Sequence, residues 1–103
     1  MPLFSFPDDA VWNDAADAVS FEVQLGDYRG QVFVPLRVIT ALVGYRPTAA
    51  QALQHFHLNR ALFERAAEIR LAERRLDDDA NVHLTGSDVR RAAAAATNGS
   101  SGA

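Results

Sequence analysis

Hydrophobic and polar residues alternate most cleanly from Val19 to Leu25, with Val19, Phe21, Val23 and Leu25 on one face and Ser20, Glu22 and Gln24 on the other. A period of two predicts a strand with one buried and one wet face. Gly26-Asp27-Tyr28-Arg29-Gly30 supplies glycines for a five-residue hairpin loop, and Gln31 to Val34 reads as the returning antiparallel strand. There Val32 and Val34 point to the core and Phe33 is left on the outer face, in need of a cover from the amino-terminal arm or from another chain.

The period then changes. Pro35 suits a first helical position, Leu36, Ile39 and Val43 follow helical spacing, and Gly44 suits the position just past a helix end. From Ala49 to Leu76 the pattern predicts one long helix, opened by the capping box of Thr48 and Gln51. At about 28 residues and roughly 1.5 Å each, it would be about 42 Å long. At about 100° per residue, Ala52, Phe56, Leu62, Phe63, Ala66 and Ile69 share one arc, while Gln54, Glu64, Arg65, Glu68 and Arg75 lie opposite. Asn59 and Arg70 fall on the apolar side, where a polar group must find partners; Asn59 is expected to be buried and bonded.

Elsewhere the signals are shorter. Leu3, Phe4 and Phe6 predict a short edge strand or anchored arm, interrupted at Pro7-Asp8-Asp9. Trp12 reads as a plug for one end of the core, and residues 13–17 as a turn or a single helical turn. Asp77-Asp78-Asp79 stops the long helix, Val82 and Leu84 alternate with His83 and Thr85 as a short strand, and Ser87 can cap a last, Ala-rich helix. The small polar residues from Asn98 onward predict a disordered tail. The expected architecture is α+β: a three- to four-stranded, mostly antiparallel sheet packed against a short helix and one long helix, with a short C-terminal helix. Residues 1–91 form a single domain in this reading, and 92–103 an Ala-rich helix end and tail.

Composition narrows the chemistry. The net charge is −3, and all ten basic residues are Arg, so nothing in the overall charge attracts phosphate backbones or anionic lipid. Cysteine is absent, which removes disulfides, thiol chemistry and Cys-based zinc sites. No stretch is apolar for long enough to span a bilayer, and the start lacks a basic region followed by a long apolar run. A cytoplasmic protein is expected.

Three constellations invite a functional reading. Asp77, Asp79, Asn81, Leu84 and Asp88 fall on positions one, three, five, eight and twelve of a calcium loop, but Val82 stands where the sharp turn wants Gly, and Asp88 where a bidentate Glu is usual. The expectation is that this loop is not a calcium site. Of the histidines, His55 and His57 project about 200° apart on a helix and cannot share a metal, and His83 has no motif partner. Arg60, Arg65, Arg70, Arg74 and Arg75 are interleaved with Glu64, Glu68 and Glu73, the pattern of a solvated helix held by i, i+3 and i, i+4 pairs and not of a one-sided nucleic-acid stripe.

Trp12, the Val-x-Phe of Val19 to Phe21, the hairpin, Phe56, Asn59-Arg60, Ala66-Ala67 and Leu84-Thr85 through Asp88 together resemble the bacterial family called domain of unknown function 1488. The resemblance covers about residues 4 to 89 and is most specific over Phe56 to Ala67 and Val82 to Asp88. It implies a small bacterial protein with an antiparallel sheet packed on helices, and no assigned activity. Two departures stand out: Phe33 lies where members often have Cys, and Val34-Pro35 replaces the Ser or Thr that usually opens the short helix. The resemblance therefore implies no thiol role here.

By elimination, the sequence points to a protein-interaction or regulatory module with an unidentified protein partner or a second copy of itself. No catalytic, cofactor-binding or metal-binding residues are assigned. The alternatives are a nucleic-acid-binding regulator using the Arg-rich long helix, which the charge disfavours, and a small enzyme with a pocket lined by His57 or His83 and carboxylates.

Overall fold

In the computed structural model, residues 4–6, 9–77 and 80–101 are described. The chain runs β1 (Phe4–Ser5), β2 (Val11–Asn13), β3 (Ala18–Leu25), β4 (Tyr28–Pro35), α1 (Leu36–Val43), α2 (Ala49–Leu58), α3 (Arg60–Ala72), β5 (Val82–His83) and α4 (Gly86–Ser101). The fold is α+β, as the hydrophobic pattern predicts, with a mixed five-stranded sheet. Both β1 and β2 pair antiparallel with β3, β3 pairs antiparallel with β4, and β5 runs parallel to β4.

The central hairpin is tighter than its glycines imply. Leu25 pairs directly with Tyr28, so the connection is the two residues Gly26 and Asp27 and not five. Gly26 takes φ 59°, the positive value that a short hairpin turn needs at its first central position. Tyr28, Arg29 and Gly30 thereby join the return strand. Pro35 ends that strand and caps α1 with extended geometry, φ −60° and ψ 148°, one position earlier than expected. Gly44 closes α1 at φ 82°, with its N–H donating to the Thr40 carbonyl.

The expected single helix from Ala49 to Leu76 is two helices. The Thr48–Gln51 capping box opens α2 as the sequence predicts, but Asn59 leaves helical geometry at φ −122° and ψ 25°. Its Nδ2 donates to the His55 carbonyl at 2.9 Å, so the side chain competes with the backbone for an acceptor one turn back. Asn59 is exposed, not buried as expected. The apolar arc passes unbroken across the bend: Phe56 and Phe63, one in each helix, stack at 5.4 Å and 11°.

At the other end α3 stops at Ala72, before the three aspartates. Arg74 adopts φ 57°, the Arg75 N–H donates to the Arg70 carbonyl and the Arg74 N–H to the Leu71 carbonyl. This is a Schellman closure with Arg in the position that glycine usually takes.

The core lies between the inner sheet face and the helices. Val19, Phe21, Val23, Val32 and Val34 meet Ile39, Phe56, Phe63, Ala66, Leu84 and Val89 there. The described part of the amino-terminal arm, Phe4 to Phe6, supplies the expected edge strand and packs inward, with the Phe6 ring 5.8 Å from Phe21, while Leu3 lies outside the described residues. Among the described residues the arm does not cover Phe33. That role falls to His83, which stacks on Phe33 at 4.7 Å and 20°. Trp12 pairs with Val19 and packs against the core from β2, and residues 14–17 form a turn in which Asp17 takes φ 52°.

The last helix is capped by Thr85 and not Ser87. Thr85 Oγ1 accepts from the Asp88 N–H at 3.1 Å, and an Asp88 carboxylate oxygen accepts from the Thr85 N–H at 2.9 Å. This is a capping box with Asp in the place of Glu.

Candidate functional site

The polar cluster with the deepest burial sits where β5 meets α3 and α4. Arg70 and Asp88 are only 7% and 6% exposed. Arg70 Nη1 donates to Asp88 Oδ2 at 2.9 Å and to the His83 carbonyl at 3.1 Å, while Nε donates to the Arg75 carbonyl at 2.9 Å. Its Nη2 lies 3.4 Å from Asp77 Oδ1. Asp77 Oδ2 in turn accepts from the His83 N–H, and the Asp77 N–H donates to the Asn81 carbonyl.

The geometry follows from β-strand alternation. Within β5 and its continuation, the Leu84 N–H faces β4 and donates to the Phe33 carbonyl. The N–H and C=O of His83 therefore face outward, along a sheet edge that would otherwise be open. Asp77 takes the donor and Arg70 the acceptor, which satisfies that edge and blocks further strand addition there.

This assignment also accounts for the calcium-like pattern. Asn81 Oδ1 accepts from the Gln31 N–H at 3.0 Å, Asp77 is engaged by His83 and Arg70, and Asp88 by Arg70 and Thr85. Asp79 lies outside the described residues. Acidic spacing here builds a sheet edge and a helix cap.

The histidines are not brought together. His55 Nε2 lies 2.7 Å from the Tyr45 hydroxyl, His57 is an exposed neighbour of Phe56, and His83 stacks on Phe33. Neither hollow beside α1 contains one: the first, of about 280 Å³, is lined by Asp17, Leu36, Arg37, Thr40 and Arg46, and the second, of about 160 Å³, by α1 and α4.

The arginines of α3 and its end are largely neutralised where they stand. Arg60 bonds Glu64 at 2.8 Å and lies 3.6 Å from Asp9, and the Glu64 bond pushes its pKa up. Arg75 and Arg91 both pair with Glu73, at 2.8 and 2.6 Å. Burial raises the pKa of Glu68, opposed by the charge of Arg65.

On the sheet face opposite the helices, Val11, Ser20, Phe33 and His83 occupy one row across four strands. The Arg29–Glu22 ion pair, at 2.9 Å, lies beside this row.

Fold and site together define a two-layer α+β domain whose buried ionic cluster is a fastening and whose histidines are dispersed. Residues 4–84 match the family described as Protein of unknown function (DUF1488), and the chain belongs to that family. No curated protein matches it. The crystal structure of a protein of unknown function from the DUF1488 family of Shewanella loihica PV-4 is similar in fold. Its TM-score is 0.73 at 20% identity, over 79% of this chain and 90% of that one. No helix among the described residues is long and apolar enough to cross a membrane.

Proposed function

We propose that the chain is a protein-interaction module of the bacterial cytoplasm, regulating a partner by docking to it. The observation that carries this reading is the exposure of large apolar side chains on ordered helices and at their ends: Leu58 is 72% exposed, Leu42 48% and Tyr45 47%. Large apolar side chains exposed on rigid elements are what a docking partner removes from water. Dispersed histidines and a fully bonded ionic cluster argue in the same direction, because neither leaves a base or nucleophile poised in a cleft.

The test is capture by the tagged full-length chain from its native cell, followed by reconstitution with the purified partner. Binding that is stoichiometric and lost in Leu42→Glu or Leu58→Glu supports the reading. A partner held equally well by both variants and by Phe33→Glu, or turnover of a small molecule by the purified chain, overturns it. A second copy of the chain is one such partner, and sedimentation across micromolar concentrations reads it directly.

A further inference from the structure

We infer that the face formed by α1 and the start of α4 is a docking groove for an acidic peptide segment that carries one large apolar side chain. This inference names the surface and partner chemistry for the interaction reading above and rests on it. Two hollows flank α1. On one side Val38, Ala41 and Leu42 face Gly86, Val89 and Arg90 of α4 across about 160 Å³. With water occupying about 30 Å³ per molecule in the liquid, that hollow has room for a single aliphatic or aromatic side chain. On the other side Arg37, Thr40 and Arg46 line the second hollow with Asp17.

Charge selects the occupant. Arg37, Arg46 and Arg90 are exposed, and none of them has a carboxylate within ion-pair distance among the described residues. Asp88 in the first turn of α4 is already committed to Arg70, and Glu73 beside α4 to Arg75 and Arg91. With Asp17 as the one carboxylate lining these hollows, the face is net positive on a chain of net charge −3. The Arg90 guanidinium folds back over Gly86, with Nη1 3.1 Å from where a Cβ would stand. A cation is thus held at the positive end of a helix, a pairing that an incoming carboxylate relieves. An extended polyanion fits less well, because the chain as a whole repels it and the groove floor is aliphatic.

The probe is a phage-displayed library of short random peptides panned against the full-length chain at low salt. Enriched sequences are remade with a fluorophore and measured by polarisation. Peptides with several Asp or Glu around a Leu, Ile, Phe or Met are expected. Their affinity should fall about tenfold or more in Arg37→Glu and in Arg90→Glu, and with added salt, as for charge pairs across an interface. Arg74→Glu, at the far end of α3, should leave it unchanged, and circular dichroism confirms that each variant is folded. Enriched peptides without acidic residues, or affinities indifferent to Arg37 and Arg90, overturn the groove; if those peptides respond instead to Leu58→Glu or Phe33→Glu, the interaction module survives at another face. Tighter binding of a single-stranded oligonucleotide overturns the peptide assignment. Self-association lost in Arg90→Glu would make the occupant a second copy and overturn it likewise. Absence of any enriched peptide overturns the groove, and only with failed capture from cells does it overturn the module as well.

Discussion

Arg70 and Asp88, from helices on either side of β5, meet at 2.9 Å with 7% and 6% of their surfaces exposed. The contact ties the end of α3 to the start of α4, and through the His83 carbonyl it also fixes the sheet edge. A buried pair of this kind contributes little net stability against an apolar replacement of both members, but losing one member strands the other. Arg70→Met should therefore cost about 3 to 5 kcal/mol, read as a shift of the urea midpoint. Asp88→Asn should cost less, because an amide oxygen can still accept from the Thr85 N–H and keep the cap. Equal losses in the two variants would show that the ion pair alone carries the contact and that the retained cap adds nothing to it.

How far the sequence reached depended on whether a feature was local. The period of β3, the Thr48 box and Gly44 are written in adjacent residues and form as read, except that Ser20, read onto the wet face of β3, is buried. Arg70 stood out as a polar residue on an apolar arc, and it is buried with partners. Asn59 sent the same signal and is exposed, because the periodicity that placed it inward continues through a bend that periodicity cannot register. The stacking of His83 on Phe33 joins residues distant in sequence and left no local trace. The Thr85–Asp88 box did leave one, a Thr followed three residues later by an acid, which the nearer Ser87 obscured.

Gly30 is required by its neighbour two residues earlier. Tyr28 and Gly30 share a face of β4, and a Cβ on residue 30 would collide with the Tyr28 ring and hydroxyl. That hydroxyl donates to the Ala80 carbonyl at 2.9 Å, holding the turn before β5. Gly30→Ala should cost about 1 to 3 kcal/mol through overpacking, and Tyr28→Phe about 1 kcal/mol through the lost hydrogen bond. Thermal melts check both. A Gly30→Ala protein of unchanged stability would mean that the ring swings aside freely.

Two glutamates pull the pH dependence in opposite directions. The Arg91 hydrogen bond, with the charges of Arg75 and Arg91, holds the Glu73 carboxyl below its ordinary value. Its contribution is present above the unfolded carboxylate pKa, about 4.3, and is lost as pH falls through the lower folded value. Glu68 is raised, chiefly by burial, so its contribution is full below that pKa and lost as pH rises through the folded value. Carboxyl-detected NMR titration should find Glu73 titrating below Glu68. Arg91→Ala should move Glu73 up and leave Glu68 in place. Glu73 is exposed, so added salt should shrink its displacement. Coincident titrations at low salt would contradict the pairing.

Asn59 tests whether the bend between α2 and α3 is a fixed corner or a loose joint. Its side chain makes one exposed hydrogen bond, to the His55 carbonyl, an acceptor that the backbone N–H of residue 59 also serves and keeps in an Ala variant. Asn59→Ala should therefore change stability by no more than about 0.5 kcal/mol. The backbone is another matter. The Asn59 N–H donates to the carbonyls of both His55 and Phe56, and the Asn59 carbonyl accepts from Leu62 and Phe63. Proline at this position removes the donor, forces φ far from −122°, and drives Leu58 out of helical geometry. Asn59→Pro should then cost about 3 kcal/mol or more, because the stacked Phe56 and Phe63 hold the two helices at one angle over the core. Denaturant midpoints of the two variants separate the cases. A tolerated proline would show a loose joint, and a large loss in Asn59→Ala would show that the side chain sets the corner.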